Sequence, residues 1–599
     1  MKKIAYLLSA ILMGGALLSS CGDFLDSENK SSGTDADEYF STDEGITAAK
    51  AAAFYQLYAV ACNYDMYCSG TDLYRTAGSR TANEFYYYTI TADESVVSDF
   101  YSSCYKIEQY ANFYMETAGS DTEGEAAGTF LRAYAYYLLT QQFGSVPYIG
   151  RYVSDNQRYY PKAGLDSLYT IMEEQLTEVY NSGLLPETAY DGNISCQAVA
   201  CLLAKFYLAH AWDIDTKLDN ATKGTYTVNS TSNFSKAAEW AVKAINGQEL
   251  SQTFEAKWHP DNEGNVEQIW SIQYERTGYP GDIASGGHSL QSDFGNEYGD
   301  VLLYGQKECA TDGAQTDKSL YLWDEGDDRY DATFMMTHCN WDGVNWGTSG
   351  YFAYYNSSDA ATQNIAYKYY PYWWTEEEVE ADIAANATRY VSTDYAVQNP
   401  RAYIMANPGT RYTFKVDGTY TKESNLAYSD MYIKEGGCPT VKKFDDPDTQ
   451  QLNSDEICYR DIVVFDLSDM YLTAAEAYLL AGNSSSALSY VNQIRTRSGA
   501  TTLSSFAAYD PQYTHSSDIT PLDVILDERG RELYAQQLRW MDLRRTKQLV
   551  RYNIEFSDFI SSAADMTGND GEIRWLRPIP LSALNGNEAV STDDQNPGY

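Results

Sequence analysis

Between Asp466 and Ala500, small and apolar residues recur at three- and four-residue spacing. Tyr471, Ala474, Ala475 and Tyr478 form one run, and Ala487, Val491 and Ile494 form the next. That period predicts two amphipathic helices back to back. Gly482-Asn483 ends the first, and Ser484 to Ser486 offer hydroxyls to cap the second. Arg495 and Arg497 suit the dipole of its last turn, and Gly499 can take a left-handed cap. The pattern fits a tetratricopeptide-type pair. Such a pair cannot bury its apolar face alone, so others are expected to stack on it. The same period predicts helices over 42–62, 97–116, 125–143, 165–180, 196–212 and 234–246, with an inserted loop at 213–233. Thr520-Pro521-Leu522-Asp523 is a capped start for a helix running on to Arg545. The expected fold class is mainly α, with helix pairs as scaffold.

From Trp258 to about Lys442 the helical period fades, Gly and Asn become frequent, and aromatic residues cluster. The stretch is too long for one structureless loop in a compact domain. It is read as a mixed, loop-rich insertion over about 258–442, inside a single domain spanning 41–599. The helical scaffold takes the remainder, about 41–257 and 443–599. Asp327-Asp328 is read as a turn and Glu376 to Glu378 as a helix start. Insertions of this kind are the usual carriers of binding residues.

Charge narrows the ligand. The formal net charge of −42 over 599 residues argues against nucleic acid and against adhesion to anionic headgroups. It favours a neutral or cationic ligand. The 55 tyrosines and 11 tryptophans supply many flat faces with a polar edge. Lys2-Lys3 followed by an apolar run to Leu18 reads as a secretory signal over 1–20. Leu18-Ser19-Ser20-Cys21 resembles the bacterial lipoprotein box, which implies a lipidated Cys21. Several acyl chains there would anchor the protein stably. Residues 21–40 are polar and read as a tether. Nine further cysteines, at 62, 68, 104, 196, 201, 309, 339, 438 and 458, leave their pairing open.

The chain carries no H-E-x-x-H, G-x-S-x-G or phosphate-cradling glycine loop. An acidic glycoside hydrolase would need two placed carboxylates, but among 84 acidic residues any pair can be nominated. The five histidines are scattered, and His210, in an Ala-rich helix, reads as a packed core residue. No spacing supports a metal site or a cofactor. The expectation is a protein that is not an enzyme. A peptide-binding helix scaffold is the other non-catalytic reading.

Several segments together resemble the SusD/RagB family of surface lipoproteins. They are FLRAYAYYLLTQQFGSVPYI (130–149), TVKKFDD (440–446), DMYLTAAEAYLLAGNSSSALSYVNQIRTRSGA (469–500), ILDERGRELYAQQLRWMDLRR (525–545), RPIP (577–580) and QNPGY (595–599). Asp328-Arg329 resembles a further signature of the family. Gln536-Gln537 stands where the family usually has Glu-Gly, which leaves open whether the late helix breaks there. The resemblance implies a SusD-like fold and a lipid-anchored protein of the cell outer membrane that faces the exterior. It also implies capture of an oligosaccharide, less often a peptide as in RagB, and delivery to a SusC-like TonB-dependent barrel without chemical change. Sugar rings present C–H groups on one face, which a flat aromatic ring matches. Trp341, Trp346, Trp373 and Trp374, with Tyr351, Tyr354 and Tyr86, are therefore the candidate glycan platforms.

Overall fold

The computed structural model describes residues 36–76, 82–274, 287–295, 312–339, 364–390, 399–432, 438–444, 446 and 458–599. Most of the longer helices start at a capping side chain, among them Thr42, Thr122, Ser195 and Thr520. In order the helices are α1 (Asp43–Tyr55), α2 (Ser95–Ala118), α3 (Glu123–Phe143), α4 (Leu165–Asn181), α5 (Cys196–Asp213), α6 (Ser232–Ile245), α7 (Glu376–Ala385), α8 (Leu467–Leu480), α9 (Ser484–Arg497), α10 (Pro521–Glu532), α11 (Arg539–Arg545) and α12 (Leu549–Phe556). α2 packs on α3, α4 on α5, α5 on α6, α6 on α8, and α8 on α9. The pair read first in the sequence is therefore one layer of a stack, as its unpartnered apolar face requires. Ala475 and Val491 close its seam against Ile525 of α10, and all three are fully buried.

Several expectations change. α9 is capped by Asn483, whose side-chain oxygen accepts from Ser486 N–H at 3.2 Å, so the cap is an amide and not a serine hydroxyl. Gly499 does take the left-handed conformation, with φ 68°, and a Cβ there would stand 3.0 Å from the Gly326 carbonyl oxygen. The expected loop at 213–233 contains a hairpin of β2 (Thr216–Asn220) and β3 (Thr225–Val228). A short helix, Ala36–Phe40, occupies the end of the expected tether, and Phe40 packs edge-on against Phe113 at 5.0 Å. The late helix breaks after Glu532, with Ala535 and Gln537 both at positive φ. There Gln537 donates to the Ala61 carbonyl at 2.8 Å and accepts from Asn63 N–H at 2.8 Å. Tertiary bonds thus replace the helical ladder. Cys62, Cys68, Cys104, Cys196 and Cys201 are free thiols.

The described part of the stretch 258–442 carries more regular structure than its composition predicts. β1 (Tyr74–Arg75) and β4 (Gln268–Ile272) precede or open it, and β5 (Ala314–Gln315), β6 (Phe334–Met335), β7 (Thr337–Cys339), β8 (Ile365–Tyr370), β9 (Arg401–Ile404), β10 (Gly409–Phe414), β11 (Tyr420–Leu426) and β12 (Thr440–Val441) lie within it. β7 to β11 make a five-stranded sheet in the order β11-β10-β9-β8-β7, with β8 and β9 parallel. Val379 and Ile383 of α7 cover one core with Ile365, Tyr370, Ile404 and Tyr412, and Tyr367, Tyr369, Tyr403 and Met431 fill another. α7 starts in a capping box of Thr375 and Glu378, so the acidic run is a helix N-terminus. β13 (Ile462–Asp466) pairs antiparallel with β4 and brings the two ends of the insertion together.

Buried ion pairs tie the insertion to the scaffold. Lys318 sits 2.8 Å from Asp72 and 3.0 Å from Asp527. Arg329 reaches Asp327 and Glu528, each at 2.7 Å, and Glu532 at 3.2 Å. Lys443 donates to the backbone carbonyls of Glu532 and Tyr534 at 2.9 and 3.0 Å. On the scaffold side, Arg495 pairs with Glu528 at 3.0 Å, and Arg529 joins Asp469 and Asp542 at 2.8 and 2.7 Å. His210 is packed as expected, but it is also clamped between Glu173 (2.8 Å) and Asp166 (2.9 Å). Burial works against its charged form. The two carboxylates outweigh that and raise its pKa.

Candidate functional site

The short ladder between β1 and β5 joins the N-terminal segment to the insertion, with Tyr74 opposite Gln315. Just beyond β5, Thr316 caps a single helical turn by accepting from Ser319 N–H at 3.2 Å, and donates to the Asp72 carbonyl at 2.6 Å. That cap leaves Asp317, at the first position of the turn, exposed while Lys318 points inward. Asp317 accepts from the Asn407 side-chain amide at 3.2 Å, and the Asn407 backbone N–H donates to the Tyr321 hydroxyl at 2.9 Å. The Tyr321 ring meets Tyr372 at 4.6 Å, and Tyr372 meets Trp373 edge-on at 5.1 Å. The Tyr372 hydroxyl is fixed by donating to the Trp323 carbonyl at 3.2 Å.

On the other side of Asp317, Arg75 pairs with Asp558 at 2.9 Å. Beside Asp558, Phe559 packs against Tyr87 at 5.4 Å. Tyr87 is thrown outward by local geometry. Asn83 caps the turn Glu84–Tyr87, and Tyr88 adopts a left-handed φ of 54° that turns its own ring inward to donate to the Gly70 carbonyl. The result is one strip running Tyr87, Phe559, Asp558, Arg75, Asp317, Asn407, Tyr321, Tyr372, Trp373. Aromatic rings stand at its ends and planar hydrogen-bonding groups in its middle. Although Asp317 is exposed along one side, the protein packed around its carboxyl removes part of its hydration and holds it above the usual carboxylate range. The Asn407 bond opposes that shift and the Asp558 charge adds to it.

The candidates from sequence fare differently. Trp373 lies half-buried on the strip, with Tyr330 behind it at 5.1 Å. Trp374 is half-buried too, but its ring packs on Tyr370 at 5.2 Å with the α7 core, so the two tryptophans sit in different packing clusters. Tyr86 is a core residue and not a platform. It is 2 % exposed, its hydroxyl bonds Tyr64 at 2.7 Å, and its ring is covered by Phe559 at 5.0 Å. Its neighbour Tyr87, 43 % exposed, carries the open face. Trp341, Trp346, Tyr351, Tyr354 and Cys21 lie outside the described residues. Sequence patterns do not single out Asp317, Tyr321, Tyr372, Asn407, Arg75 or Asp558, which come from separate stretches with no local motif. Among the described residues no group of His, Cys, Asp and Glu could hold a metal ion.

The SusD family model matches residues 211–599, and a related model, described as starch-binding associating with outer membrane, matches residues 23–208. The chain belongs to the SusD family. SusD-like protein P2 of Formosa agariphila is 24% identical over 553 residues, covering 88% of this chain and 84% of its own. A SusD homologue from Bacteroides thetaiotaomicron superposes with a TM-score of 0.62 at 17% identity, over 94% of this chain and 98% of that one. A surface glycan-binding protein A of the same organism, in complex with laminarihexaose, gives 0.59 at 16% identity over 91% and 98%. These solved structures share the SusD fold with this chain. Among the described residues no helix is long and apolar enough to cross a membrane.

Proposed function

We propose that this SusD-family protein is a non-catalytic, cell-surface glycan-binding lipoprotein. It captures an oligosaccharide and passes it unchanged to a SusC-like TonB-dependent barrel. The observation that carries the reading is the strip, where aromatic faces flank carboxylate and amide groups. Rings at the ends suit the apolar faces of sugar residues. The planar acceptors and donors of Asp317 and Asn407 suit pairs of neighbouring hydroxyls. Asp558 is engaged by Arg75 and Asp317 by Asn407, which holds both carboxylates in place with lone pairs left to accept from sugar hydroxyls. The laminarihexaose complex of the Bacteroides relative and the family description support the same direction. Cys21 holds the protein at the outer membrane by its lipid.

The test is a glycan array with the detergent-solubilised full-length protein, followed by affinities for Trp373→Ala and Tyr372→Ala. Aromatic contacts contribute about 1 kcal/mol beyond area. Each variant should therefore bind at least about fivefold more weakly while still unfolding in one cooperative transition. Wild-type affinity in both variants would remove the strip from the site, and product formed from a bound glycan would restore the hydrolase reading. Cys21→Ala should move the protein from the membrane to the soluble fraction. Retention at wild-type level in cells lacking the partner barrel would rule out the lipid anchor.

A further inference from the structure

We infer that the strip selects sugar chains free of carboxylate and sulfate groups, and that Asp317 and Asp558 enforce the selection. This rests on the glycan-binding reading above and names the ligand class of the same site. Its support is the distribution of charge along the strip. Arg75 is matched by Asp558 at 2.9 Å. Lys318, next to Asp317 in the chain, is turned into the core, where Asp72 and Asp527 hold it. Arg531, behind Tyr372, donates to Glu528 at 2.8 Å and to the Leu322 carbonyl at 2.7 Å, and is fully buried. Arg495 is committed to Glu528. Among the described residues, these cations near the strip are thus already engaged by carboxylates of this chain.

The anions are in surplus. Asp317 is exposed and held by an uncharged amide. The Asp324 carboxylate is 46% exposed, and the cation facing it, Arg495, stands 3.9 Å away. Asp324 and Asp317 both have raised pKa values, with burial the first cause in each. A further anion brought onto the strip would meet the charges of Asp317 and Asp558, and that of Asp324, which acts on Tyr372, with Arg75 the cation beside them. Hydrogen bonding points the same way. An ionised carboxylate is an acceptor only, so Asp317 can accept from a sugar hydroxyl but offers no donor to the carboxylate of a uronate or to a sulfate group. Where such a group faces Asp317, acceptor meets acceptor, which is how a site discriminates by repulsion as well as by attraction.

The experiment uses the full-length protein with laminarin, xyloglucan oligosaccharides and mannan, and with the same chains oxidised to carboxylates at C6. Each parent that binds should bind at least about tenfold more tightly than its oxidised form at low salt, and added salt should narrow the gap. Asp317→Asn and Asp558→Asn, both at exposed positions, should narrow it further, the second by releasing Arg75. Oxidised chains that bind as tightly as their parents would overturn the inference and leave the glycan reading standing. The inference also falls, with the glycan reading intact, if the two variants shift both forms alike. Absence of binding to any glycan would overturn the glycan reading and the inference with it.

Discussion

Arg329→Met should destabilise the protein by about 3–5 kcal/mol, because it removes one partner from a buried ionic network. Arg329 is fully buried and bonds Asp327, Glu528 and Glu532. Methionine fills much of the volume but leaves those carboxylates short of a cation in a dry setting. The effect should appear in the denaturant midpoint, with glycan affinity lost only where the protein unfolds. A stability within about 1 kcal/mol of wild type would mean that Arg495 and Arg531 satisfy Glu528 without help.

The same network sets the acid limit. Burial alone would raise its carboxylates, but the neighbouring cations win. Asp469 is lowered to about 2 by Lys205 and Arg529, and Glu532 to about 2 by Arg497, Lys257 and Arg329. Glu528 and Asp72 are held lower still. A depressed carboxylate adds stability above its unfolded pKa, near about 4, and loses it as pH falls through the folded value. Between about pH 7 and pH 4, opposing groups partly cancel. Burial lowers the His288 pKa to about 4, which costs stability on acidification, while Asp293 and Asp461, raised to about 7 chiefly by burial, return some. Below about pH 4 the depressed carboxylates dominate. The denaturant midpoint should therefore fall steeply between about pH 4 and pH 2.

Ala475→Asp should cost a similar amount, on the order of several kcal/mol, by placing an unpaired charge in a packed seam. Ala475 has no exposed surface and contacts Val491 and Ile525, which offer no hydrogen bond. Here too the melting transition should drop before any binding change is seen. Loss of glycan binding at an unchanged melting temperature would contradict the assignment of this pair to the core. Ala475→Gly is the control and should cost only about 1 kcal/mol from helix propensity.

Most of the helices, the pairing of α8 with α9 and the family are legible in the sequence, because each rests on residues close together in the chain. Tyr471, Ala474 and Ala475 fall on one helix face by spacing alone, and the Thr520 and Thr375 caps are each written within a single turn. Gly499 was legible for the same reason, since a left-handed turn favours glycine wherever it occurs. The insertion was not. Its sheet pairs β8 with β9 across α7 and an intervening stretch, and no local period records that choice. The break after Glu532 is set by Ala61 and Asn63 bonding to Gln537, far away in the chain. The strip is tertiary in the same sense. Arg75, Asp317, Tyr372, Asn407 and Asp558 come together only when β1 meets β5 and the turn after β8 meets Tyr321. Sequence marked this chain as rich in tyrosine. Only the fold decided that Tyr86 is covered and Tyr87 open, because one left-handed residue and a packed phenylalanine separate two adjacent rings.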